Sequence, residues 1–186
     1  MRIVGGEFRG RVIAGPGAGQ AAGDRLRPTP DRVRESLFNR LEHAFGEPVT
    51  DAVVLDLFAG TGALGLEALS RGARAATFVE RTRAGAALIR RNVAALGLSD
   101  RAAVLQRDAT RPGPPPETPT TLVFLDPPYG TPLGAAALSA CRAAGWIAPG
   151  ALVSWEDDRE ATPPDGFRRL DARAFGQTTI TWMETT

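Results

Sequence analysis

Ala52-Val53-Val54-Leu55-Asp56-Leu57-Phe58-Ala59-Gly60-Thr61-Gly62-Ala63-Leu64-Gly65 is the stretch that decides the fold of this chain. Residues 52–58 are a nearly unbroken apolar run, the pattern of a strand buried on both faces. Gly60–Gly65 reads as a loop, and Leu64–Arg71 as a short helix behind it. A buried strand that breaks into glycines and then into a helix opens a βαβ unit.

The downstream sequence continues the alternation. Ala75–Glu80 reads as a second strand. Thr82–Leu96 reads as a helix with Ala86, Ile89, Val93 and Leu96 on one side, stopped by Gly97. Ala102–Gln106 is a third strand, and 112–119 a proline-rich loop. Leu122–Leu125 is a fourth strand. Pro132–Trp146 is a helix ending near Pro149-Gly150. Ala151–Trp155 is a fifth strand. Phe167–Arg173 and Thr178–Met183, parted by Gly176, form a closing hairpin. This succession predicts an α/β fold: a doubly wound, mostly parallel Rossmann-like sheet with helices on both faces and a C-terminal antiparallel hairpin.

Upstream, residues 1–14 read as a small hairpin and 15–28 as a Gly/Ala-rich loop. Thr29-Pro30-Asp31 starts a helix, with Thr29 as cap and Pro30 in the first turn. Val33, Leu37, Leu41 and Phe45 form its apolar stripe. Arg32, Arg34 and Arg40 fall off that stripe, which reads either as a solvated face or as contacts to nucleic-acid phosphates. Residues 1–40 hold eight arginines against four acids, a net of +4, although the whole chain carries only +1. Residues 1–48 are therefore read as a basic extension, and 49–186 as the α/β domain. A basic end on a near-neutral body suits an anionic partner, nucleic acid first.

The chain is 186 residues long, 43% apolar and 23% charged, ordinary values for one globular domain. No apolar run approaches a membrane span or a signal peptide, so a cytoplasmic protein is expected. One cysteine, Cys141, precludes an internal disulfide and reads as inert packing. With one histidine, His43, it offers no metal constellation. Nothing demands a dimer, and a monomer is expected.

Asp56, Glu80, Asp108 and Asp126 each fall at or just after the carboxyl end of a strand, the rim where such sheets bind ligands. Gly60, Gly62 and Gly65 match G-x-G-x-x-G, with Glu80 twenty residues beyond Gly60, formally a dinucleotide fingerprint. Asp56, four residues before Gly60, would repel a pyrophosphate. It suits S-adenosylmethionine, which has no phosphate and carries an ammonium and a sulfonium. Glu80 can accept from both ribose hydroxyls and Asp108 from the adenine amine. Phe58 reads as core or cofactor contact. Asp126-Pro127-Pro128-Tyr129 closes the fourth strand as a stiff turn, because proline fixes φ and restricts the residue before it. It sets a carboxylate, a fixed carbonyl and a ring side by side, a grip for a flat base bearing an amine.

Asp56–Gly62 followed by Asp126–Tyr129 resembles the class I S-adenosylmethionine-dependent methyltransferases that modify exocyclic amines. Arg2–Gly6, Arg9-Gly10-Arg11, Arg27-Pro28-Thr29, Asp31–Asn39, Gly65–Ala73, Phe78–Arg81 and Gly176-Gln177 are similar to the bacterial RsmD family, nearly end to end. The resemblance implies methylation of N2 of one guanine of 16S rRNA, guanine 966 in the family, in a small ribosomal subunit or an assembly intermediate. It implies that Gly60 and Gly62 hold the methionine part. Asp56, Phe58, Glu80, Arg81, Asp108 and Ala109 complete the cofactor pocket. Asp126 and the Pro127 carbonyl take the target amine, and Tyr129 stacks on the base. Arg9, Arg11, Arg25, Arg27, Arg32 and Arg34 are the expected RNA contacts. A DNA adenine-N6 methyltransferase shares the tetrapeptide, and a non-catalytic RNA-binding module shares the scaffold. An NAD enzyme is disfavoured by Asp56.

Overall fold

A computed structural model describes residues 1–15 and 30–186 of the chain. Among the described residues, four helices and seven strands follow in the order α1 Asp31–Ala44, β1 Val53–Leu57, α2 Ala63–Ser70, β2 Ala75–Glu80, α3 Arg83–Ala95, β3 Ala102–Gln106, β4 Thr120–Leu125, α4 Leu133–Ala143, β5 Ile147–Asp157, β6 Phe167–Phe175 and β7 Thr178–Thr185. The sheet order is β3-β2-β1-β4-β5-β7-β6. β1 to β5 run parallel, and β7 inserts antiparallel between β5 and β6. The order reverses between β1 and β4, the switch point where open α/β sheets bind ligands.

Side-chain alternation splits the core into two layers. Val54, Phe78, Leu122 and Phe124 face α1, α2 and α3, where Leu37, Phe38, Leu66 and Ile89 lie. Leu55, Leu57, Val79, Val123, Leu125 and Val153 face α4, where Ala137, Leu138 and Cys141 lie. Phe38 and Phe124 meet with ring centroids 5.5 Å apart. Burial pushes the Cys141 thiol up to about 12, in keeping with an inert packing role. Among the described residues, no helix is long and apolar enough to cross a membrane.

Two helix boundaries differ from the sequence reading. Pro30 is the N-cap of α1 and makes no side-chain cap bond, while Thr29 lies outside the described residues. Pro149-Gly150 does not end α4. That helix stops at Ala143, and Gly145 turns the chain at φ 78°. Pro149 and Gly150 sit inside β5, where the pairing steps from Thr120↔Ile147 to Leu122↔Leu152. The extra β5 residues bulge out of the ladder, which is how a proline is tolerated there.

Residues 1–13 do form a small hairpin. Arg2 bridges Val12, and Ile3 exchanges backbone bonds with Arg11 and Gly10. Its anchor escaped the sequence reading. Glu67 on α2 is fully buried, and accepts the N–H groups of Val4 (2.8 Å) and Gly5 (2.7 Å) and the Arg71 Nε–H (2.9 Å). Ser70 Oγ accepts from Phe8 N and donates to Gly5 O. At Gly6, φ is +73° and an added Cβ would meet Ser70 O at 1.9 Å, so only glycine fits. Arg71 also pairs with Glu42 at 2.7 Å and lies 4.9 Å from the Phe38 ring. Glu67→Ala would strand buried N–H groups and an arginine. It is expected to cost about 3–5 kcal/mol in urea unfolding and to open residues 1–13 to proteolysis.

Candidate active site

Each parallel strand carries its acid to one rim. β1 ends in Asp56-Leu57, β2 in Glu80, and Asp108 and Asp126 follow β3 and β4. The registers Asp56↔Phe78, Asp56↔Phe124 and Glu80↔Gln106 keep the strand ends level. Steps of about 4.8 Å between strands thus lay the acids out as a row.

The switch point is built on strained backbone. Phe58 has φ +57°, an unusual conformation for a bulky residue, and it turns the chain out of β1. Gly60 and Gly62 follow at φ 56° and 77°. An added Cβ on Gly62 would crowd Ile89 and Phe78 at 3.2–3.3 Å. Gly65 is not in the loop but in α2, so close to Phe78 that a Cβ would come within 2.4 Å. That approach brings the α2 N-terminus down onto the rim. Phe58 itself is half-buried against the α4-side core.

Asp56 lies under this turn. It is 2% exposed, and its Oδ2 accepts the Gly65 N–H at 2.9 Å. Burial, opposed by the Gly65 bond and reinforced by the Glu80 charge, raises its pKa to about 8. Glu80 is 5% exposed and ties the end of β2 to the turn after β1 and to the start of α3: Oε2 accepts from Gly60 N, and Oε1 from Thr82 N and Thr82 Oγ1. The Glu80 carboxylate and the buried acid of Asp56, which a cation beside it would drive to its ionised form, make a place around one glycine turn where a cation is favoured and a phosphate is not.

Asp108 Oδ1 accepts from Thr110 N at 2.9 Å and Thr110 Oγ1 at 2.8 Å. Those bonds, with the nearby Arg111 and Arg81 charges, hold its carboxyl below the ordinary range. Arg81 is exposed at the rim. Ala109 is buried in the α4-side core, its carbonyl facing the Cys141 thiol, so its side chain faces away from solvent.

Across the switch point, Asp126 N donates to Leu57 O at 3.4 Å, joining the two halves of the site. Pro127 is buried, Asp126 and Tyr129 are half-buried, and Thr131 Oγ1 donates to Pro128 O at 2.6 Å to brace the turn. Tyr129 is tethered by its hydroxyl: it donates to Glu156 Oε1 at 3.0 Å and meets Thr178 Oγ1 at 3.2 Å. Asp157 Oδ1 holds Gly130 N at 3.4 Å. Glu156 and Asp157, 5% and 7% exposed, were missed in the sequence reading. Their one signal was an acidic pair ending the apolar run 151–155.

The basic extension divides. Arg9 and Arg32 are exposed and, with Arg2 and Glu35, line a cleft of about 470 Å³ between the hairpin and α1. Arg11 is exposed, and Arg25 and Arg27 lie outside the described residues. Arg34 corrects the sequence reading. It is fully buried, its guanidinium bonded to Arg2 O and paired with Asp31 at 3.0 Å, so it braces the hairpin against α1 rather than facing RNA. Helical spacing could not show this, because the hairpin covers the face that periodicity assigns to solvent.

Residues 1–184 match the family described as Conserved hypothetical protein 95. The chain is 41% identical over 160 residues to Ribosomal RNA small subunit methyltransferase D of Escherichia coli K12, covering 86% of this chain and 76% of that protein. It is 34% identical over 181 residues to the Haemophilus influenzae protein of the same name, covering 95% and 89%. Among solved structures, the yhhF protein of Escherichia coli superposes with TM-score 0.83 at 34% identity, covering 100% of this chain and 97% of that one.

Proposed function

The chain belongs to this family, the RsmD methyltransferases, and on that premise we propose that it methylates the N2 amine of one guanine in 16S rRNA, with S-adenosylmethionine as donor. The observation that carries the reading is the pairing of a cation-favouring glycine turn with an Asp-Pro-Pro-Tyr turn directly across the switch point. When bound, S-adenosylmethionine would supply a methyl group activated by its sulfonium, whose sulfur keeps the carbon–sulfur electron pair. Asp56 and the turn at Gly60 and Gly62 fit its cationic methionine part, Glu80 the ribose, and Asp108 the adenine amine.

The chain's own task is to make the amine nucleophilic. The N2 lone pair is delocalised into the guanine ring, and the free amine attacks poorly. The Asp126 carboxylate and the Pro127 carbonyl take its two N–H groups. This turns the lone pair out of conjugation and stabilises the positive charge growing on nitrogen. Asp126 is then placed to receive the proton. Tyr129, held by Glu156 and Thr178, offers its ring to a base splayed out of the RNA, worth about 1–3 kcal/mol. Residues 1–48 act as the RNA-binding extension, gripping phosphates through Arg9, Arg11 and Arg32.

Methyl transfer to small subunits purified without this modification, with the methylated nucleotide mapped, tests the reading. Label at one N2-methylguanosine of 16S rRNA is the expected result, and label on an adenine would replace it with the DNA-type reading. Replacing Arg9, Arg11 and Arg32 together by alanine is expected to weaken RNA binding and flatten the slope of log affinity against log salt by about 2. Cofactor affinity should stay unchanged, as read by fluorescence titration.

A further inference from the structure

Glu156 has no part in the chemistry above beyond tethering Tyr129. It is 5% exposed at the rim end of β5. The β4–β5 register pairs Phe124 with Ser154 and Leu125 with Trp155; carried one residue on, it sets Asp126 beside Glu156. Alternation puts both on one face, since Leu122 and Phe124 join the α1-side core while Leu125 and Trp155 join the other. Neighbouring strands lie about 4.8 Å apart, so two such carboxylates can serve one planar base edge. A third group feels both charges: burial raises the pKa of the Tyr129 hydroxyl, the Thr178 bond opposes that, and the Glu156 and Asp126 charges add to the rise.

We propose that Glu156 is a specificity-determining residue for the target base: beside Asp126, it accepts the ring N–H next to the reacting amine. The inference rests on the guanine-N2 reading above. Guanine presents an N1–H next to its N2 amine, two donors for two carboxylates. Adenine and 2-aminopurine present an amine next to a bare ring nitrogen, whose lone pair would face the Glu156 carboxylate. An ionised carboxylate only accepts, so that contact is both unsatisfied and repulsive. A site built this way rejects a base for lacking a proton, a stronger filter than shape alone.

The test uses small subunits reassembled on 16S rRNA whose target nucleotide is guanosine or 2-aminopurine riboside. The latter keeps the 2-amine and loses the N1–H. Wild-type protein is expected to prefer guanine by about thirtyfold or more in kcat/KM. Glu156→Gln keeps the shape and an acceptor for Tyr129, and its amide can donate to a bare nitrogen. Its preference should fall to within about threefold. Glu156→Asp, which retracts the charge by one methylene, serves the same measurement if the amide variant does not fold. Tyr129→Phe removes the tether alone and should slow both substrates by the same factor. An unchanged preference in the Glu156 variants, or an equal slowing of both substrates as in Tyr129→Phe, overturns the inference. Failure of wild type to methylate the guanine subunits would overturn the proposed function instead.

Discussion

Asp126→Ala is expected to lower methyl transfer at least about 10³-fold while leaving S-adenosylmethionine affinity within about threefold. The rate falls because the site loses the acceptor that meets charge developing on the amine. Pro127 keeps its carbonyl, since two prolines hold the backbone whatever side chain precedes them. Affinity survives because the groups that fit the cofactor lie on β1, β2 and the glycine turn. Asp126 is joined to that side through its backbone N–H to Leu57 O. Asp126→Asn, with one acceptor and no charge, should fall between wild type and the alanine variant. Single-turnover methylation and cofactor titration on the same preparations check the pattern. A near-normal rate for Asp126→Ala would remove the amine-orienting mechanism, and a lost cofactor affinity would move Asp126 to the cofactor side.

Asp56→Asn is expected to stabilise the fold and disable the cofactor site together. The Asp56 pKa is raised from 3.8 to about 8, mainly by burial. Folding therefore favours the protonated acid. Below about pH 4 both folded and unfolded chains hold the proton, and nothing is lost. Between about pH 4 and 8 the unfolded chain has released it while the folded chain keeps it, so this group makes stability fall as pH rises. Above about pH 8 the loss is complete. Asparagine still accepts the Gly65 N–H but has no charge to desolvate. Its advantage should be small near pH 4 and reach on the order of 3–5 kcal/mol above pH 8. The affinity for the cationic cofactor should fall at least about tenfold. Wild-type protein should also release a proton when the cofactor binds near pH 7, because a cation beside Asp56 favours its ionised form. Thermal unfolding across pH and calorimetry in buffers of different ionisation enthalpy measure the two halves. A pH-independent difference in stability would mean that Asp56 is not the buried acid described here. A stabilising change that disables binding is the signature of a residue kept for function.

Much of this molecule is legible in local sequence. The β1 apolar run, the positive-φ glycines after it and the tetrapeptide after β4 are decided within a few residues. Strand burial and turn conformation depend on neighbours in the chain, so the doubly wound sheet and its row of acids follow from spacing. The closing hairpin was legible for the same reason, with Gly176 at φ 66° between β6 and β7. The limits of local reading appear at Pro149-Gly150, where a helix-stop signal proved to be a strand bulge because β4 supplied a partner for the segment.

What tertiary structure alone decided is the partner of each buried charge. Arg34 carries the same helical signal as its exposed neighbour Arg32, yet it is buried because Arg2, 32 residues earlier, closes over it. Glu67 looks like a solvent-facing helix acid, and it is buried because Val4 and Gly5, more than 60 residues away, deliver their N–H groups to it. Glu156 gains its place only when β5 pairs with β4, one residue past the Leu125↔Trp155 pair. A charge leaves water only when the fold brings a compensating group to it, and that group is named by the pairing of distant segments, whereas an apolar run or a glycine turn carries its own reason to form.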